Sequence, residues 1–307
     1  MFRFSFKSQS TTLTAFFMSD TGYSMATLEL DNTLRLHEHR ELNDAPSSAM
    51  ANALARDAKQ CHLIGKPCSL VLSPKHYQLL QMDASDIPEA ELAKALKWRL
   101  KGLIEYPLND IAVDAFMLPP TGLGKQQKKA LVAVTPLSTL RKTLTLFQSA
   151  YIDITEVGIA ELALRKICTL LPHPNHAPHI VISLEEEHCQ LHIFYNNQLY
   201  LVRTLQFPVD ISDETRSHKE NILLEIQRST DYCLTTLKLP EPQRIVLTPG
   251  FYKAQYLLDY LEKEQTKPIY LIDLNQLIPL NRPLQQDYQQ HLLYSIGGAL
   301  HTFEAEH

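Results

Sequence analysis

Two apolar-rich runs, residues 11 to 18 and 23 to 30, are separated by Ser19-Asp20-Thr21-Gly22, the punctuation of a β-hairpin. The chain therefore opens on paired strands. An alanine-rich stretch around Ser48 to Gln60 reads as a helix that Gly65-Lys66-Pro67 breaks. Cys68 to Leu72 and Tyr77 to Met82 read as strands about a Ser-Pro turn. From Pro88 to Glu105, Leu92, Ala95, Leu96, Leu100, Leu103 and Ile104 recur at helical spacing and form one apolar stripe. Pro88 falls early in that helix, where a missing N–H costs nothing. On the same wheel the single tryptophan, Trp98, lies on the far side among Glu91, Lys94, Lys101 and Glu105.

Tyr106-Pro107 stops this helix, and Ile111 to Met117 and Lys129 to Val134 read as strands on either side of the turn-rich Pro119 to Gly124. Helices over about Pro136 to Ala150 and Ile159 to Leu171 flank a short strand, Tyr151 to Val157. Leu171-Pro-His-Pro-Asn-His-Ala-Pro178 carries three prolines and marks the boundary between two lobes. Beyond it, His179 to Leu184, Gln190 to Tyr195 and Gln198 to Leu205 read as a meander whose second turn, Asn196-Asn197, suits positive φ. A helix from Asp213 to Leu237, a strand at Ile245 to Leu247, a helix near Phe251 to Glu264, a strand at Ile269 to Leu274 and a helix near Leu284 to His301 complete the chain. Hairpin, helix, strand, helix thus occurs twice, which predicts two related α/β lobes without an exact repeat.

Composition narrows the chemistry. A length of 307 residues suits two domains, and 45% apolar with 21% charged residues excludes disorder and collagen-like repeats. Nine glycines against 18 prolines leave little material for Gly-rich phosphate loops. A net charge of −5, with Lys125 to Lys129 the only basic run, argues against a broad nucleic-acid footprint. Five cysteines without CxxC spacing fit reduced thiols and an intracellular protein. Met1 to Lys7 has the look of a signal n-region, but the apolar stretch Leu13 to Met18 is short and lacks a small-residue cleavage site. No window approaches the ~18 apolar residues of a membrane span, so membrane association is expected through a partner.

Isolated motifs yield bland readings. Asp20-Thr21-Gly22 has the form of an aspartic-protease carboxylate, but no second copy exists to share its proton, and a hairpin turn explains it. His173, His176 and His179, and His37-Glu-His39, lack zinc-site spacing and read as solvated histidines. Glu185-Glu186-Glu187 cannot converge on one cation from a strand, because alternate side chains face opposite ways. No Gly-x-Ser-x-Gly elbow is present, and each cysteine sits in a packing context.

The order of the longer motifs is more specific. Pro88-Glu-Ala-Glu-Leu92, Ala95-Leu-Lys-Trp98, Tyr106-Pro-Leu-Asn-Asp110, Leu131 to Pro136, Glu161 to Leu164, Glu225-Ile-Gln-Arg-Ser229 with Asp231-Tyr232, and Ile245 to Gly250 follow one another. This order resembles the type IV pilus assembly protein PilM family, most closely its MshI-like branch from mannose-sensitive pilus systems. The resemblance covers most of residues 65 to 301 and is poor over the first 60. It implies an α/β, actin-like (FtsA-like, ribonuclease H-like) fold of two lobes: 1–171, with a small α+β subdomain inserted at about 68–136, and 172–307. It also implies a cytoplasmic location, ATP with magnesium in the cleft, and docking of the cytoplasmic amino-terminal tail of a PilN-like bitopic inner-membrane protein. Contacts with the pilus assembly ATPase and with a second copy are left open.

The departures bear on the cleft. The first phosphate loop falls on Asp20-Thr-Gly22, followed by Tyr23 with no lysine at the usual place; the second on Leu184-Glu185-Glu186-Glu187; the adenosine loop on Thr248-Pro249-Gly250-Phe251. Three carboxylates repel a polyphosphate, so the resemblance leads to a non-catalytic scaffold without a cofactor. Asp20, Gly22 and Gly250 are the residues that hold nucleotide if binding is retained. The alternatives are an active ATPase with diverged loops and a type II secretion cytoplasmic component. The latter is normally continuous with a membrane helix, and the chain ends at His307 without one. Trp98, off its helix's apolar stripe, is a candidate partner anchor; packing against Tyr77 to Met82 is the commoner fate of such a ring.

Overall fold

A computed structural model describes residues 2–3, 12–43, 47–120, 128–172, 177–184, 188–206, 216–250 and 252–300. Strands β1 (Phe2–Arg3), β2 (Thr12–Met18), β3 (Gly22–Glu29) and β4 (Leu34–Glu41) precede helix α1 (Ser47–Gln60) and strand β5 (Pro67–Leu72). Strand β6 (Gln78–Asp83), helix α2 (Leu92–Arg99), and strands β7 (Ile111–Met117) and β8 (Lys129–Pro136) form an insertion before α3 (Leu137–Ser149), β9 (Asp153–Ile159) and α4 (Ala160–Thr169). The remainder is β10 (His179–Leu184), β11 (His188–Tyr195), β12 (Gln198–Gln206), α5 (Arg216–Thr235), β13 (Ile245–Leu247), α6 (Tyr252–Glu264), β14 (Ile269–Leu271), α7 (Leu274–Leu277) and α8 (Gln286–Ala299).

Three sheets result. The first has the order β1-β9-β5-β2-β3-β4 and the second β12-β11-β10-β13-β14. In each, an antiparallel meander (β2-β3-β4; β10-β11-β12) continues through its first strand into two parallel strands (β5, β9; β13, β14). The doubled pattern in the sequence is therefore a doubled topology. Asn196 and Asn197 have φ of 48° and 59°, as the tight turn between β11 and β12 requires. The third sheet, β6-β8-β7, is antiparallel and belongs to the insertion.

Period-2 alternation sends each sheet's side chains to two cores. Phe16 and Met18 face α1 and α3, where Phe16 meets Phe147 edge-on at 5.0 Å, while Ala15 and Phe17 face the molecule's centre. In β10, Ile180 and Ile182 join the outer core under α5 and α6, and Val181 joins the central one. That central core draws Ala15 and Val71 from the first sheet, Val181 and Val246 from the second, and α4 and α8 between them. The final helix, α8, which lies within the expected second lobe 172–307, packs against β2, β3, β5 and α4.

Two adjacent glycines permit that contact. A Cβ on Gly297 would stand 2.4 Å from the Ala163 carbonyl oxygen of α4, and one on Gly298 would stand 2.7 Å from Val71 Cγ2 and 2.9 Å from Ala15 Cβ. Backbone therefore touches backbone where α4 and α8 cross. A buried charge network fastens α1 to the first sheet. Asp57, 1% exposed, accepts from Arg40 Nε (2.8 Å) and Nη2 (3.0 Å) and from the Tyr23 hydroxyl (2.7 Å). Burial alone raises the Asp57 carboxyl, but the hydrogen bonds from Arg40 and Tyr23 outweigh it and hold the group below its ordinary value.

Three expectations change. The helix expected from Pro88 to Glu105 runs only from Leu92 to Arg99, because Gly102 adopts φ 84°, the left-handed residue that ends helices. Leu103, expected on the buried stripe, is 57% exposed. Strand β4, with its alternation Leu-Arg-Leu-His-Glu-His-Arg-Glu, was not foreseen, and it makes His37 and His39 strand residues.

Gly297→Ala is expected to destabilise the protein by up to about 2 kcal/mol: overpacking costs ~1–3 kcal/mol, less alanine's helix preference of ~1 kcal/mol. Urea unfolding at equilibrium measures it, and a more stable variant would contradict the crossing geometry.

Candidate functional site

A cleft opens between the two sheets, roofed by α8. Ser19, Asp20, Thr21, Tyr23, His39, Glu41, Ser73 and Lys75 line it from the first lobe; Leu184, Thr248, Pro249 and Gly250 from the second; and Gln290, His291 and Tyr294 from α8. Its cavity volume is about 160 Å³, below the ~300 Å³ where small-molecule sites begin. The Ser19–Gly22 turn satisfies itself. Ser19 N–H donates to the Gly22 carbonyl (3.0 Å), the Ser19 and Thr21 hydroxyls lie 3.2 Å apart, and the Thr21 carbonyl accepts from Leu42 N–H (2.6 Å). Asp20 Oδ1 sits 2.8 Å from His76 Nε2, in the turn that follows β5. His39 and His291 stack at 3.8 Å, joining β4 to α8. Burial, then the neighbouring His291, push the His39 imidazole down to about 4, so it is uncharged at neutral pH.

A larger groove of about 620 Å³ lies between the insertion and the first lobe. Its walls are β7 and β8 (Asp114, Phe116, Ala133, Thr135), β9 (Glu156 to Ile159), α4 (Leu162, Arg165, Lys166) and the Gln198–Leu199 end of the second lobe's hairpin. In the order β6-β8-β7, strand β7 is an edge whose outer backbone groups face no strand of its own sheet. Below the groove lies Glu161, fully buried, taking hydrogen bonds from the Tyr77 hydroxyl (2.6 Å) and the Gln190 amide (3.1 Å). Tyr77 also accepts from Ala160 N–H (3.1 Å). Burial raises the Glu161 carboxyl above its ordinary value against those two hydrogen bonds. The link joins the insertion's entry, α4 and the second sheet.

No family model matches the chain, and no curated protein matches it. Solved structures do. The chain is similar to a PilM-PilN type IV pilus biogenesis complex, with TM-score 0.69 and 15% identity over 94% of this chain and 97% of that one. It is also similar to a protein of unknown function with an actin-like ATPase fold from Bacteroides thetaiotaomicron, with TM-score 0.55 and 13% identity over 92% and 95%. A third is the cytoplasmic domain of EpsL, an inner-membrane component of the type II secretion system of Vibrio cholerae, with TM-score 0.50 and 10% identity over 93% and 94%. The chain has a PilM-like, actin-like fold.

Within that fold, Asp20 and Gly250 line one cleft, and Gly22 sits between two lining residues, Thr21 and Tyr23. A Cβ on Gly22 would lie 1.9 Å from the Arg40 carbonyl oxygen, so its glycine is required by the approach of β4. Gly250 has ordinary contacts, the nearest to an added Cβ being Ala254 Cβ at 3.4 Å. The cleft does contain a lysine, Lys75, but from the turn after β5. That Ser-Pro turn was legible; its place in the cleft was not. Trp98 is 71% exposed and makes no buried packing against Tyr77 to Met82. Glu161 has a sequence signal, being an acid on the helical stripe Ala160, Ala163, Leu164, Ile167. Among the described residues no three His, Cys, Asp or Glu side chains converge as metal ligands; His173, His176 and Glu185 to Glu187 lie outside them.

Gly22→Ala is expected to cost more than about 3 kcal/mol, because backbone must move, whereas Gly250→Ala stays within about 0.5 kcal/mol. Comparable unfolding midpoints for the two would refute this division. Because the His39 value is depressed in the folded state, its contribution is full above the ordinary imidazole value near ~6.5 and is lost as pH falls towards about 4. His192, buried and also held at about 4, acts over the same window. His39→Gln should therefore reduce, but not abolish, the loss of stability between those pH values, as measured by thermal melts across the range.

Proposed function

We propose that the protein is a non-catalytic cytoplasmic scaffold of a type IV pilus-type assembly machine, of the MshI-like kind, that holds the amino-terminal tail of a PilN-like bitopic inner-membrane protein. The observation that carries the reading is the groove of about 620 Å³ lined by β7 and β8, in a sheet where β7 is an edge strand. An extended tail gains affinity by pairing its backbone with such an edge, and specificity from alternate side chains in the apolar slot of Phe116, Val157 and Leu162. The likeness to a structure described as a PilM-PilN complex supports this kind of partner. No helix among the described residues is long and apolar enough to cross a membrane, which fits recruitment by a membrane-embedded partner.

The cleft supports the non-catalytic half of the reading. The described residues fit a nucleotide poorly: the space where Gly22 lacks a Cβ is taken by the Arg40 carbonyl, Asp20 is engaged by His76, and the cavity is small. One observation favours the alternative of an active ATPase, since Lys75 brings a cation into the cleft. Titration calorimetry separates the two. The scaffold gives no heat of binding with micromolar MgATP, and a micromolar affinity overturns it.

A synthetic peptide of the tail of the neighbouring membrane protein should bind the folded protein with or without MgATP. Leu162→Asp should weaken it at least about tenfold, ~1.4 kcal/mol, in fluorescence anisotropy; unchanged affinity would place the tail elsewhere.

A further inference from the structure

We infer that the outer face of α2, with the turn that follows it, is a contact surface for an anionic lipid bilayer. From Leu92 to Ile104 the chain carries Lys94, Lys97, Arg99 and Lys101 and no carboxylate, within a protein of net charge −5. The same short stretch exposes large apolar side chains, Trp98 at 71% and Leu103 at 57%, and Tyr106, just past Glu105, is 43% exposed.

The helix geometry explains why these groups share a face. Leu92, Leu96 and Leu100 are buried in the insertion's own core, and the residues opposite them on a 3.6-residue wheel are Lys94 and Trp98, with Glu91 at the N-cap and Lys101 just past the helix. Lys97 Nζ donates to the Ile111 carbonyl (3.3 Å) and Arg99 Nη1 to the Asp83 carbonyl (2.9 Å), so two of the cations also pin the helix to its sheet. Gly102 at φ 84° then turns the chain, and Leu103 is exposed just beyond it. The presented surface is basic at its centre, with Glu91 and Glu105 exposed at its two ends, and is tipped with amphipathic rings.

Charge complementarity selects the occupant. Basic residues beside a bilayer are attracted by the negative surface potential of anionic lipids, and tryptophan and tyrosine favour the boundary between headgroups and acyl chains. A fluid interface accepts apolar side chains of different shapes without a matching pocket. An acidic peptide would answer the lysines but not the apolar tips. The surface lies on the same inserted unit as the β7 edge, yet the inference does not depend on any tail binding there.

Trp98 is the chain's only tryptophan, so intrinsic fluorescence reports this face alone. Phosphatidylcholine vesicles containing phosphatidylglycerol should shift its emission to the blue and co-sediment the full chain without any peptide. Pure phosphatidylcholine should do neither, and raised salt should reverse the effect. Lys94→Gln with Lys101→Gln should lower partitioning roughly 30-fold with an unchanged circular dichroism spectrum, both positions being exposed. The inference is overturned by an unshifted emission with phosphatidylglycerol vesicles, by equal partitioning of variant and parent, or by a shift with poly-glutamate and none with vesicles, which would assign the face to an acidic protein.

Discussion

Everything else in the molecule is arranged around the crossing of α4 and α8. The Gly297 position abuts the Ala163 carbonyl of α4, and Gly298 abuts Val71 and Ala15 of the first sheet. Each helix would otherwise bury its stripe against its own sheet. Close approach instead lets a single core collect residues from both sheets, so the lobes share hydrophobic burial. Glycine's cost in a helix, about 1 kcal/mol relative to alanine, is offset by the contact area that the approach creates. The last helix of the chain thereby becomes part of the first lobe's packing.

Polar groups near this crossing are matched in pairs that bridge elements far apart in the chain. Ser24 meets Ser295, His39 stacks on His291, and Glu161 is held between Tyr77 and Gln190. Each pair fixes register where hydrophobic contact alone would let surfaces slide. The Asp57 network does the same for α1, binding a helix to an edge strand through a desolvated carboxylate. Glycine at position 22 belongs to this scheme as well: it lets β4 come close enough for Arg40 to reach inward.

The sequence made most of the element order legible where the signal was local. Asn196-Asn197 announced its turn, the turn-rich Pro119 to Gly124 set off the strands on either side, and the alanine-rich Ser48 to Gln60 announced α1. What it could not show depends on contacts distant in the chain. Leu103 fits a helical stripe on paper, but Gly102 ends the helix first. The β4 run, half exposed and rich in charge, has too little apolar content to stand out. Gly297-Gly298 read as composition until Ala163 and Val71 were seen opposite them. At the cleft, Asp20 and Gly250 were found by motif order, while Lys75 entered from a turn whose place in the cleft was not legible and Glu161 was visible only as an acid out of place on an apolar face.

The hairpin end at Gln198 and Leu199 has a consequence for how the groove behaves. Three of its walls belong to the first lobe and its insertion, whereas this fourth belongs to the second sheet. The groove is therefore not a slot cut into one body but the gap of a caliper whose jaws are carried by different lobes. An occupant of the groove would therefore touch both lobes at once.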